Sequence, residues 1–283
     1  MIPAIRQNRM MQVTRMVKLT VAAAMTVAAA AACTAPATRT GTGAAGPSGV
    51  PPTSSPVEVS PLSQAGAESV SPDRRVGALF LGDTTTHTCS GSVLASTSGD
   101  LILTAAHCLL DGVDTTFVPG FGEGGGETWH VDAAYLDPRW IAEQDPQADY
   151  AIVRVTGGSA ASLLAAAGGG LALGTAPAQG SAVTVTGYPM GKGGSPLACR
   201  GATTWTPQGF PSLACGGLTD GFSGAPWVSG STVTGLVGGL DGGGCDDDVS
   251  YSPRFDDRIG RLLARAEAGG PGDAAPAALD SVC

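Results

Sequence analysis

The chain has 283 residues, among them 24 acidic, 15 basic and 3 His, and a formal net charge of −9. Its 43 Gly and 20 Pro, with only 14% charged and 5% aromatic residues, exclude long helices and coiled coils. The four cations before residue 34 set aside, 11 basic residues face 24 acidic ones, and a surface of that sign repels phosphate backbones and anionic headgroups, which excludes nucleic acid as a partner.

Residues 1–33 read as an export signal. A basic stretch from Met1 to Lys18 precedes an apolar run over 19–32 that is too short to span the hydrocarbon core but suits a secretory segment. The run ends in Ala30-Ala31-Ala32-Cys33, which admits two outcomes: a lipid on Cys33 that anchors the exported protein to the outer face of the membrane, or ordinary signal-peptidase cleavage after an Ala-x-Ala triplet. Residues 34–72 are rich in Ala, Thr, Pro, Ser and Gly and hold too little apolar surface to offset ordering entropy, so a disordered tether is expected.

From residue 73 the texture changes to short apolar runs broken by Gly, Asp and Pro, at 76–81, 90–95, 101–104, 128–132, 150–155, 182–187, 225–228 and 233–237. Many short strands over a span longer than one small barrel predict an all-β fold of two packed antiparallel barrels, about 76–156 and about 181–253, within a domain over 73–268. The Ala/Gly-rich interval 157–180 joins them. Phe255, Ile259, Leu262 and Leu263 recur at helical spacing and predict an amphipathic helix over about 254–268, with 269–283 as a tail.

The seven cysteines are 33, 89, 108, 199, 215, 245 and 283; in an exported chain they read as disulfide partners, and six of them allow 15 pairings. Neither Cys-x-x-Cys nor His-x-x-x-His occurs, so no metal is expected. Three segments carry chemistry: Thr104-Ala105-Ala106-His107-Cys108, Ala148-Asp149-Tyr150 at the mouth of an apolar strand, and Asp220-Gly221-Phe222-Ser223-Gly224. Acyl transfer needs a hydroxyl nucleophile, a neutral imidazole to take its proton, and a carboxylate to fix the imidazole tautomer; the three segments supply one of each. The flanking glycines leave backbone N–H groups free of a nearby Cβ to face a developing oxyanion. Asp137 and Asp145, beside prolines in what reads as loop, are the nearest rivals to Asp149, and His87 and His130 are expected at the surface.

These motifs, together with Cys89-Ser90-Gly91-Ser92, Gly187-Tyr188-Pro189 and Gly235-Leu236-Val237-Gly238-Gly239, resemble those of chymotrypsin-fold serine peptidases, in particular secreted trypsin-like and glutamyl-endopeptidase-like proteins of actinobacteria. The resemblance runs from Arg75 to about Ala268 and implies His107 as general base, Asp149 as its orienter, Ser223 as nucleophile, and the amides of Gly221 and Ser223 as oxyanion hole. It also implies the disulfides Cys89–Cys108 and Cys199–Cys215, which leaves Cys245 and Cys283 as the expected third pair. The function implied is a secreted or lipid-anchored serine endopeptidase, monomeric, without cofactor, acting on protein or peptide substrates and touching a membrane only through Cys33. A catalytically silent binding protein and a serine esterase on the same fold stay open. Three departures from the family pattern stand out. Phe222 replaces the aspartate that pairs with an activated N-terminus in animal members, Gly217 stands where trypsin has an acid at the base of its specificity pocket, and Gly238 replaces a serine that supports the triad carboxylate.

Overall fold

The computed structural model describes residues 65–277 apart from 123–125, 160, 192 and 247. The leader, Cys33, most of the tether and Cys283 therefore lie outside the described residues. The described residues begin with a two-residue strand, β1 (Glu68–Ser69), followed by β2 (Val76–Leu81), β3 (His87–Val93), β4 (Leu101–Thr104), β5 (Thr115–Pro119) and β6 (Trp129–Leu136). A short helix α1 (Pro138–Glu143) leads to β7 (Ala151–Gly157), and α2 (Leu163–Ala167) and β8 (Ala172–Leu173) occupy the connecting interval. Next come β9 (Ala182–Gly187), β10 (Leu197–Trp205), β11 (Pro211–Ala214), β12 (Pro226–Ser229), β13 (Thr232–Leu236), β14 (Val249–Tyr251) and the helix α3 (Asp257–Ala268).

Strands β2-β3-β4-β7-β6-β5 close into a barrel, and β14-β11-β10-β9-β12-β13-β8 form a second, curled sheet with β1 added to β10. The first barrel is driven by strands that are apolar on both faces, such as Leu101-Ile102-Leu103-Thr104, every residue of which is buried. In the second sheet burial alternates instead, as in β9, where Val183, Val185 and Gly187 point inward between half-exposed neighbours. Helix α3 starts on the Asp256 side chain, which accepts from the Arg258 N–H, and lays Ile259, Leu262 and Ala266 against the first core. No helix among the described residues is long and apolar enough to cross a membrane.

Strands β5, β10, β11 and β14 were not legible as apolar runs. In β10 only Cys199 and Thr203 are buried, so its pairing with β9 and β11, rather than its own side chains, makes it a strand. The expected tether also ends earlier than its composition suggests. Residues 65–70 are bound to the second sheet, because small residues there bring the backbone within hydrogen-bonding reach of Gly216 and β10.

Candidate active site

Strand β4 runs into the fully buried Ala105 and Ala106 and then one 3-10 turn, Ala106–Cys108, that carries His107. Cys108 is bonded to Cys89 of β3 across a sequence separation of 19, a closure worth about 3 kcal/mol on the chain-entropy account, so the turn is held at both ends. The second expected pair, Cys199–Cys215, is also present. The expected Cys245–Cys283 pair involves Cys283, which lies outside the described residues. Among the described residues Cys89, His107 and Cys108 form the one cluster of metal-ligating atoms, and both sulfurs are committed to the disulfide.

Asp149 follows the 3-10 turn Pro146–Ala148 and sits at the entrance of β7, its side chain 2% exposed. A buried carboxylate needs its lone pairs filled. The His107 N–H donates to Oδ1 at 3.0 Å, and His107 Nδ1 and the Gly239 N–H donate to Oδ2 at 2.7 and 2.8 Å. Burial alone would raise the Asp149 carboxyl, but the His107 imidazole and these donors outweigh it and hold the group below the ordinary carboxylate value. An ionised carboxylate only accepts, so Nδ1 carries the imidazole proton and Nε2 keeps its lone pair. Burial of the ring opposes its protonation, yet the Asp149 charge and hydrogen bond prevail and raise His107 above the ordinary 6.5. The two rival carboxylates are occupied elsewhere. Asp137 caps α1 and accepts from Tyr150 Oη at 2.7 Å, and Asp145 caps the turn before Asp149.

Ser223 lies in a turn whose geometry two glycines permit. Gly221 has φ +95°, and a Cβ there would lie 2.2 Å from the Met190 nitrogen and 2.4 Å from the Tyr188 oxygen; Gly224, at φ +81°, would clash with Ser90 O at 2.2 Å. Phe222 between them is fully buried in the core of the second sheet, so this position anchors the turn by apolar packing. Ser90, on β3, ties the turn to the first barrel. Its N–H donates to Ser223 O at 2.8 Å, and its hydroxyl donates to Gly221 O at 2.9 Å while accepting from the Tyr188 N–H at 2.9 Å. Among the described residues the N–H groups of Gly221 and Ser223 have no acceptor, and the Ser223 hydroxyl makes no hydrogen bond. His107 and Ser223 open on one cavity of about 480 Å³, with Leu218, Asp220, Val237 and Asp241 among its walls. If the Gly221 N–H faces the oxyanion as expected from the sequence, Gly221→Ala should displace the turn and lower kcat about 10²–10³-fold; steady-state kinetics with a purified, folded variant checks it.

His87 differs from the sequence expectation of a surface residue, whereas His130 is exposed. The His87 ring is fully buried, packed edge-on against Phe80, Phe121 and Tyr188, with Nε2 3.3 Å from Gly193 O. Burial holds it below the ordinary imidazole value, the bond to Gly193 opposing. Backbone ladder bonds to Gly191 and the aromatic neighbours, distant in sequence, place it there. Two contributors to the site escaped sequence reasoning. Gly239 supports Asp149 through a main-chain N–H at 2.8 Å, beside the position where Gly238 lacks a hydroxyl; it was visible as the end of a motif but without a role. Ser90 was visible as part of a motif but without a role.

A closed six-stranded barrel, a curled second sheet and a buried His-Asp pair beside a serine turn define a chymotrypsin-like hydrolase fold. The model of the trypsin-like peptidase domain matches residues 89–238, and the chain belongs to that family. Its structure is similar to the protease Anisep of Arthrobacter nicotinovorans, at 24% identity and a TM-score of 0.62 over 72% of this chain and 100% of that one. It is also similar to the thermostable serine protease AL20 of an extremophilic microorganism (21%, TM-score 0.61, 70% and 99%). A Glu endopeptidase shares the fold at 16% identity (TM-score 0.59, 74% and 99%). The chain matches no curated protein sequence.

Proposed function

We propose that the protein is an exported serine endopeptidase that cleaves internal peptide bonds through an acyl-enzyme on Ser223. The observation that carries this reading is the buried Asp149–His107 pair, which leaves Nε2 as an acceptor at the same cavity as Ser223. His107 takes the hydroxyl proton during attack and returns it to the leaving amine, while Asp149 stays ionised and stabilises the transient imidazolium. The idle amides of Gly221 and Ser223 receive the charge that develops on the carbonyl oxygen. A hydrogen bond from the Ser223 hydroxyl to His107 Nε2 is expected to close around bound substrate.

The test is incubation of the protein and of Ser223→Ala with a denatured protein mixture, followed by mass spectrometry of new termini. Internal cleavage by the first and none by the second is expected. Turnover of small esters without peptide cleavage would make it an esterase, and neither activity would make it a binding protein on this fold. We further propose that Cys33 carries a lipid. Membrane fractionation is expected to find the native protein in the membrane and Cys33→Ala in the medium; equal release of both counts against the anchor.

A further inference from the structure

On the functional reading above, we propose that residues 65–70, upstream of the first barrel, form a strap that positions the wall of the substrate cavity. The segment Ala65-Gly66-Ala67-Glu68-Ser69-Val70 brackets Gly216: the Gly216 N–H donates to Ala65 O and the Ala67 N–H to Gly216 O, both at 2.8 Å. Glu68 and Ser69 then pair antiparallel with Ala198 and Leu197, and the Val70 N–H donates to Pro196 O at 3.0 Å. Ala65 and Ala67 turn inward onto the core of the second sheet, while Gly66 and Glu68 face out, the alternation of a strand.

What the strap holds is a stretch with little hold of its own. Gly216 and Gly217 have no side chains to pack, and Gly217 sits at φ +85°. A Cβ at Gly217 would meet the Ala67 methyl at 3.5 Å, so that methyl occupies the space beside Gly217. On the upstream side Cys215 is fixed by its disulfide to Cys199 and by its N–H to Asp248 O. Downstream, the chain passes directly from Gly217 into Leu218, Thr219 and Asp220 of the cavity wall and then into the serine turn. The strap thus supplies the backbone bonds that fix Gly216 and the methyl that lies beside Gly217, and through them it positions the wall against which a substrate side chain rests. It is tied to β2 through Ser71, Pro72 and Arg74, all exposed.

The test uses the full chain with Ala67→Pro, which removes the N–H bonded to Gly216, and Ala67→Ser, which keeps it. Hydrogen exchange of amides 215–220 is expected to quicken about tenfold in Ala67→Pro, with amides 101–104 unchanged, and KM for a peptide substrate to rise about tenfold with kcat within about threefold. Ala67→Ser is expected to match the native protein in both. Ala67→Val keeps the amide but crowds Gly217, and reads the same contact by KM if Ala67→Pro does not fold. Native exchange at 215–220 together with native KM overturns the strap, as does a loss of protection spread equally over 101–104. If the native protein turns over no peptide, the catalytic reading fails while the exchange comparison still decides the strap.

Discussion

Ser223→Ala and His107→Ala are each expected to lower kcat about 10⁵–10⁶-fold, and the double variant to be little worse than either, because nucleophile and base act as one unit. Without the hydroxyl there is no acyl-enzyme; without the imidazole the hydroxyl keeps its proton at neutral pH. What activity remains comes from the Gly221 and Ser223 amides and from substrate binding, which neither substitution touches. Ser223 borders the cavity, so Ser223→Ala should melt close to native, whereas His107→Ala takes a donor from the buried Asp149 carboxylate and should melt lower. Single-turnover kinetics on the three variants reads the coupling, and additive losses would mean that the two groups do not work on the same proton.

Asp149→Asn is expected to lower kcat about 10⁴-fold while leaving the fold in place. The carboxylate accepts from the His107 Nδ1 and, on its two oxygens, from the main-chain N–H groups of His107 and Gly239. An amide keeps one acceptor oxygen. If that oxygen takes the Oδ1 place and keeps the His107 N–H, the NH₂ takes the Oδ2 place and faces the imidazole, the ring proton moves to Nε2, and the base has no lone pair toward Ser223. Steady-state kinetics with a calorimetric melt separates this from unfolding. A loss of less than tenfold would show that Asp149 does not set the tautomer.

The three chemical segments were legible in the sequence because each packs its signal into five or six residues: a histidine after small residues, an aspartate before an apolar strand, a serine between glycines. Strands β2, β4 and β9 were legible for a similar reason, being apolar or alternating within themselves. The parts made by backbone were not. Gly239 acts through an N–H that every residue possesses, and residues 65–70 join the second sheet through main-chain bonds to partners over 120 residues away. Their composition, Ala, Gly and Ser, reads the same in a tether as in a strap. His87 misled in the opposite sense: a polar residue suggests solvent, but Phe80, Phe121 and Tyr188 come from three separate stretches to enclose it.

The nucleophilic role of Ser223 is tested most directly by its reaction with a fluorophosphonate followed across pH, with the adduct located by peptide mapping. One adduct is expected, on Ser223. Because the base acts only when neutral and Asp149 raises its protonation above the ordinary 6.5, the rate should climb with pH through a midpoint above that value and fall away in acid. His107→Ala should flatten the curve. Label on another residue, or a native rate that ignores both pH and the loss of His107, would contradict the account.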